Sequence, residues 1–245
     1  MVRGLGSAFT RLFAVQASWN YERMLGIGMG YAAEPLLREM KSTDAPRHAD
    51  AVRRSAEFFN CHPYLAGLAL GATVAAEYAG EPEDRIQRLR TALCGTLGAL
   101  GDHLFWAGLL PAMMGMALIA AVLWDPWWGL GLFLVGYNGC RVVVGWWGLR
   151  TGLAGGMRVG QAIATSWIPR ARFVVGLAAG FMVGLAVPLV GRFQLAVLPR
   201  PAAVAAIAVA VLGLGLAYRF GPTFRGVRYG LFVVGMVLLY YGIMP

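Results

Sequence analysis

Charge is scarce in this chain. Asp, Glu, Lys and Arg make up 13% of its 245 residues, against about a quarter in ordinary soluble domains. Hydrophobic residues make up 58%, so the chain reads as an integral membrane protein. Its length allows one membrane domain with small cytoplasmic appendages and excludes a large soluble catalytic domain beside it. Cysteine is equally sparse. Cys61, Cys94 and Cys140 lie in or beside apolar segments with no CxxC spacing, so buried free thiols are expected in place of a disulfide framework or zinc site. Nothing in the spacing of Cys61, His62, His103 and Cys140 asks for a metal, and neither a metal nor a cofactor is expected. Acidic residues are absent after Asp125, where ten arginines remain; before it the two signs nearly cancel. A formal charge of +9 is compatible with nucleic-acid binding, but these arginines punctuate hydrophobic spans instead of forming one stripe. They read as topology determinants and headgroup contacts, with no nucleic-acid partner. No short-period repeat or low-complexity tract is present. No signal peptide is expected, because Arg11 interrupts the first apolar run and no small-residue cleavage site follows it.

What remains is apolar sequence with helical punctuation, and the expected class is all-α: a polytopic integral membrane protein in three parts. Residues 1–60 form an amphipathic helical arm, cytoplasmic or interfacial. Phe9, Leu12, Phe13, Val15, Gln16 and Trp19 recur at helical spacing with Arg3 and Arg11 between them. Packing of that arm as the core helix of a soluble layer is the alternative. Gly26, Gly28 and Gly30 give the next helix a small-residue face, and Ala49 to Phe59 reads as a helix exposing Arg53 and Arg54. Residues 61–128 form a re-entrant hairpin and broken-helix core. His62 to Tyr78 is only about 17 residues long, marginal for a crossing and suited to a half-buried hairpin. Thr91 to Leu123 is long enough to span, with interruptions expected at Gly101-Asp102 and at Pro111. Asp125-Pro126-Trp127-Trp128 marks a water interface. Residues 129–245 form a transmembrane bundle with spans Gly129–Leu149, Ala171–Val190, Pro201–Tyr218 and Tyr229–Ile243. Arginine counts place the loops at Arg150–Arg172 and Arg219–Arg228 in the cytoplasm. By the same rule the N-terminus is cytoplasmic and the C-terminus outside, in a cell membrane.

The stretch Gly95-Thr96-Leu97-Gly98-Ala99-Leu100-Gly101-Asp102-His103-Leu104-Phe105-Trp106 sets a carboxylate beside an imidazole inside apolar sequence. An ionisable group in mid-bilayer costs about 3 kcal/mol on insertion scales, so it needs a partner or a polar cavity. Two readings stay open: a pair that ties helices together, or a place on a solute path. Use of the pair as an intramembrane general acid and base is a third, weakened because adjacent helical residues point about 100° apart and no Ser or Cys nucleophile stands near.

Three ordered strings carry a family likeness: Gln16-Ala17-Ser18-Trp19-Asn20-Tyr21-Glu22-Arg23-Met24, Glu57-Phe58-Phe59-Asn60-Cys61-His62-Pro63-Tyr64, and Gly98-Ala99-Leu100-Gly101-Asp102-His103-Leu104-Phe105-Trp106. Together they closely resemble the IID subunit of mannose-type (mannose/fructose/sorbose) phosphotransferase sugar transporters. Asn138 to Arg141 with Trp146-Trp147-Gly148-Leu149-Arg150 is a fainter echo. The resemblance runs from about Gln16 to Gly160. It implies a subunit that pairs with a IIC subunit in the membrane, as a hetero-oligomer in the lipid bilayer, and moves a hexose inward. Soluble IIA and IIB proteins would relay phosphate to the sugar, so this chain is not itself an enzyme. His48, His62 and His103 are then not phosphocarriers. Departures from the pattern are Gly108-Leu109-Leu110-Pro111, which lacks the family's arginine, His103 in place of a small residue or proline, and Gly145 in place of arginine. They leave the charge partner of Asp102 open between His103, Arg141 and a partner subunit.

A hexose offers hydroxyls around an apolar face, so a site needs carboxylates and amides beside an aromatic platform. Trp19, Asn20 and Glu22, then Glu57, Asn60 and His62, then Asp102 and His103 are the candidate sugar contacts, with Phe58 and Trp106 as platforms. Helix packing or interface anchoring by the aromatics, and an internal Glu22–Arg23 ion pair, are the plain alternatives. So is a scaffold role in which the IIC subunit alone holds the sugar.

Overall fold

Apolar, glycine-punctuated sequence closes its backbone hydrogen bonds locally, and here it does so as helix. The computed structural model describes residues 3–197 and Pro201; among these every regular element is helical, with two isolated β-bridges. The chain divides into two units, residues 1–184 and 185–245. The expected spans Pro201–Tyr218 and Tyr229–Ile243 lie, beyond Pro201 itself, outside the described residues.

The arm comprises α1 (Leu5–Leu12), α2 (Gly26–Leu37), α3 (Met40–Thr43) and α4 (Ala45–Ser55). Amphipathic α1 buries Ala8 and Leu12, while Phe13 and Trp19 stay exposed. α2 buries Ala32, Ala33, Leu36 and Leu37 completely, so this part of the arm is packed core. Its glycine face admits neighbouring backbone: a Cβ on Gly28 would lie 2.0 Å from the Val15 carbonyl oxygen. α4 starts where Asp44 accepts a hydrogen bond from the Arg47 backbone N–H at 3.0 Å, with a proline in the first turn.

A 3₁₀ turn at Pro63–Leu65 leads into α5 (Ala66–Tyr78), of which eleven residues are buried. Thirteen residues rise about 20 Å, short of a hydrocarbon core of about 30 Å. α5 lies along α8 (Pro126–Gly155) at backbone contact. A Cβ on Gly71 would come within 2.5 Å of the Leu149 carbonyl oxygen, and one on Gly152 within 2.3 Å of that of Leu68. Only glycine permits that approach.

α6 (Glu83–Gly101) and α7 (Leu110–Leu123) join through an eight-residue π-helical stretch, Asp102–Leu109. The expected interruption at Gly101-Asp102 is therefore a change of hydrogen-bonding register within one helical run. The Leu110 N–H reaches the Phe105 carbonyl, five residues back. Pro111 supplies a cause, since its ring would press on the Ala107 carbonyl in a tight α turn. Glu83–Leu123 and Ile168–Gly191 are long and apolar enough to cross a membrane; the latter lies in α10 (Ile168–Val197). α8, 30 residues and about 45 Å long, contains the expected span Gly129–Leu149. Asp125 caps α8 by accepting from the Trp127 N–H at 2.8 Å, and Trp124, Trp127 and Trp128 are exposed around the turn. α9 (Val159–Ala164) follows a 3₁₀ turn at Gly156–Arg158.

One expectation fails in α4. Arg53 is exposed, but Arg54 is buried and meets Glu77, near the end of α5, through two hydrogen bonds of 2.8 Å. Those bonds outweigh burial and raise the guanidinium pKa further above its ordinary value. Arg47 approaches the same carboxylate at 3.7 Å and donates to the Glu77 and Glu81 carbonyls. Breaking a buried pair strands a charge, which costs about 3–5 kcal/mol, whereas an apolar replacement of both partners is often neutral. Glu77→Ala should therefore lower stability by about that amount. Arg54→Met with Glu77→Leu should recover most of it, as read by thermal unfolding in detergent micelles. Equal stability of Glu77→Ala and the native chain would refute the pair's role.

Candidate functional site

The first string folds as a loop that holds itself. Asn20 Oδ1 accepts from the Glu22 and Arg23 backbone N–H groups at 3.1 and 2.8 Å, and its amide donates to the Ser18 carbonyl. Met24 takes a left-handed conformation, φ 51°, that turns the chain back. The second string docks there: Leu25 N–H donates to the Phe59 carbonyl at 2.8 Å, and Phe59 N–H to the Arg23 carbonyl at 3.3 Å. Two sequence-distant motifs thus share one backbone junction. Trp19 and Tyr21 pack edge to face at 4.8 Å, and both are exposed, as is Phe58. Glu22 is exposed and, like Arg23, makes no ion pair among the described residues. Glu57 pairs with Arg53 at 2.7 Å, while Asn60 is exposed.

Beneath this junction lies Arg90, 2% exposed. Its Nη2 donates to the carbonyls of Glu57 and Phe58 at 3.1 and 3.5 Å, and its guanidinium lies 5.2 Å from the Phe59 ring centroid. In sequence Arg90 closes the charged cluster Glu81 to Arg90. The missed signal is periodic: Ile86, Arg90, Leu93, Leu97 and Gly101 fall on one buried stripe of α6.

His62 joins the second string to the third. It is buried, its Nδ1 accepts from the Tyr64 N–H at 3.3 Å, and its ring stacks on Phe105 at 5.0 Å. Tyr64 and Trp106 meet its ring edge-on at 4.9 and 6.4 Å. Its Nε2 is buried without a hydrogen-bond partner. Gly101 makes room for it, since a Cβ there would lie 2.1 Å from the His62 Cβ.

Asp102 and His103 point the other way. Both are exposed, and with Trp106 and Ala107 they line an open concavity on the π-helical stretch, while Leu104, Phe105 and Gly108 face inward. Neither makes an ion pair or side-chain hydrogen bond among the described residues. Arg141, a candidate partner for Asp102, is engaged elsewhere: its guanidinium lies 5.0 and 4.7 Å from the Phe13 and Tyr64 ring centroids. The isolated chain leaves Asp102 uncovered. Among the described residues no three His, Cys, Asp or Glu side chains gather as a metal site.

The notch at Gly101 is testable. Gly101→Ala should destabilise by about 1–3 kcal/mol through overpacking against His62. Gly98→Ala, where an added Cβ meets nothing within 4 Å, should be neutral or mildly stabilising. Indistinguishable unfolding temperatures for the two variants would dismiss the notch.

A family model described as the PTS system mannose/fructose/sorbose family IID component matches residues 3–222. The mannose-specific EIID component of Escherichia coli strain K12 is 30% identical over 167 residues, 64% of this chain and 56% of that protein. The sorbose-specific EIID component of Lacticaseibacillus casei is 33% identical over 147 residues, 58% of this chain and 51% of that one. The fructose permease IID component of Bacillus subtilis is 28% identical over 169 residues, 67% and 61% of the two chains. The chain thus matches between about half and three fifths of the length of these relatives. A solved membrane-protein structure superposes with a TM-score of 0.66 at 25% identity, covering 75% of this chain and 68% of the other. The cryo-EM structure of the mannose transporter ManYZ with microcin E492 gives 0.56 at 26% identity, with the same coverage.

Proposed function

Because the chain belongs to the mannose/fructose/sorbose family of PTS IID components, we propose that it forms the inward path for a hexose together with a IIC membrane subunit. Phosphate would reach the sugar through soluble IIA and IIB proteins, and this chain would perform no phosphoryl transfer. The observation that carries the reading is the exposed Asp102–His103 pair within the apolar run Glu83–Leu123. A charge at membrane depth costs about 3 kcal/mol against acyl chains, so this face is covered by a partner subunit or a hydrophilic path. Trp106 beside the pair offers an aromatic platform for a sugar's apolar face.

On this reading the protein is multi-pass in a cell membrane. The arm, residues 1–60, lies at the cytoplasmic face. Residues 61–128 supply the half-depth helix and the charged run, and residues 129–245 complete the bundle with its C-terminus outside. Trp19, Glu22 and Asn60 join Asp102 and His103 as sugar contacts presented at two rims, while Asn20, Glu57 and His62 hold those rims in place. The side-chain bonds of Asn20 and Glu57 within their own chain favour this division, and they also support a second reading. In that reading the subunit is a scaffold and the IIC partner alone binds sugar.

One experiment separates the two. The chain is co-purified with its IIC partner and reconstituted in vesicles, and uptake of labelled hexose is measured for Asp102→Asn. The path reading expects uptake to fall at least tenfold, about 1.4 kcal/mol or more, with co-purification intact. The scaffold reading expects co-purification to fail first. Unchanged uptake by an intact complex would remove Asp102 from the path.

A further inference from the structure

One face of α8 is covered for only part of its length. Gly145, Gly148 and Gly152 follow one another at steps of three and four residues, so they share a face, and α5 lies on it. A Cβ on Gly67 of α5 would lie 3.0 Å from the Gly145 carbonyl oxygen, and Cβ atoms on Gly148 and Gly152 would meet Leu68. The same spacing carried back through Arg141 gives Asn138, Leu134, Gly131 and Trp127. These four are exposed, and a Cβ on Gly131 would meet nothing within 4 Å. The covering element stops between the two sets. α5 begins at the 3₁₀ turn Pro63–Leu65, whose Tyr64 ring lies 4.7 Å from the Arg141 guanidinium and 6.2 Å from the Tyr137 ring.

Depth defines what the bare length can hold. Trp127 suits a headgroup level, and Arg141 lies fourteen residues on, about 21 Å. That is about two thirds of a hydrocarbon core of about 30 Å. A helix crossing the whole core along this face would run into the 3₁₀ turn, so the space fits one that enters beside Trp127 and stops there. A helix that stops inside hydrocarbon leaves backbone groups unpaired at its end. α5 meets this need at its own start with Pro63, which has no N–H, and with His62 Nδ1, which accepts from the Tyr64 N–H. Asn138 stands where the second helix would end. Its Nδ2 donates to the Leu134 carbonyl at 2.8 Å, which leaves Oδ1 and one N–H without a partner among the described residues. Against acyl chains those groups stay unpaired; against a helix end they close its orphan bonds.

Orientation says where that helix comes from. Every copy of this chain sits the same way round in a membrane and brings α5 from the same side. Among the described residues no part-depth helix enters beside Trp127. A different membrane subunit can supply one from the opposite side, as the paired broken helices of inverted-repeat transporters do. We propose that the Trp127–Asn138 face of α8 docks a part-depth helix of the IIC subunit, which ends against Asn138 and faces the start of α5. The inference rests on the pairing with IIC proposed above.

The test uses the complex in vesicles, made cysteine-free, with single cysteines placed by Leu134→Cys, Asn138→Cys or Val143→Cys. Val143 is exposed and nine residues from Leu134, which puts it on the opposite side of α8. Benzophenone maleimide on each cysteine is photoactivated, and the adducts are identified by mass. The first two positions should yield IIC adducts at least fivefold more often than the third. Gly131→Leu, which fills the bare face where this chain packs nothing, should cut co-purification of IIC at least fivefold with the amount of this chain in the membrane unchanged. Were Asn138→Cys to prevent assembly, Leu134→Cys would still decide. Adducts only with a second copy, with this chain's own residues or with lipid overturn the proposal, as does unchanged IIC recovery with Gly131→Leu. A complex that takes up hexose without IIC adducts from these positions overturns this docking face and leaves the Asp102 path standing; failure to form any complex removes both.

Discussion

The close approach of α5 to α8 organises the rest of this molecule. A thirteen-residue helix buried on nearly every side has few places for polar groups along its length, and α5 accordingly carries its charge near one end. Glu77 stands there, clasped by Arg54. At the other end His62 precedes the helix, stacked on Phe105. The first contact fastens the arm to the membrane-type helices; the second fastens the segment Glu57–Tyr64 to the π-helical stretch. Glycine at 71 and 152 is what lets a helix with so little to offer but backbone shape become a core.

From that core outward, the candidate site is two rims on one support. The loop at residues 19–24 and the segment 57–60 share hydrogen bonds and are underpinned by Arg90, a buried cation whose contacts are carbonyl oxygens and a ring in place of a carboxylate. The other rim is the outward face of residues 102–107. His62 and Gly101 lie between, so displacement at that notch is felt on both sides. Asn20 and Glu57, which fold one rim, spend their side-chain bonds inside the chain, while His62 Nε2 and Arg90 Nε are buried without a hydrogen-bond partner. Asp102 and His103, exposed and unpaired among the described residues, are the ones free to meet something outside the chain.

Much of the fold was legible in the sequence because it rests on local signals. Low charge and long apolar runs give helices; Asp125-Pro126-Trp127-Trp128 marks a turn; Gly26, Gly28 and Gly30 mark a small-residue face. The helix read from Ala49 starts four residues earlier, at Ala45, where Asp44 caps it. The site was legible as motifs and less so as geometry. Arg54 reads as a solvated residue because its partner lies 23 positions away, and Arg90 because its neighbours in sequence are charged. Asp102 reads as a charge in apolar sequence that needs a partner or a polar cavity, but which face of the helix the chain itself covers is not written in its neighbours. Pairing across the fold is set by packing, which local periodicity does not encode.

The π-helical stretch carries a consequence for how this chain can vary. Each wide turn stores about one residue more than α-helical periodicity requires. A one-residue deletion between Asp102 and Leu109 can therefore be absorbed by a return to α hydrogen bonding, with α6 and α7 keeping their faces. The same deletion elsewhere in the 41-residue run would swing one flank about 100° around its axis against the other. Length changes in this run are thus tolerable chiefly at the segment that bears Asp102 and His103.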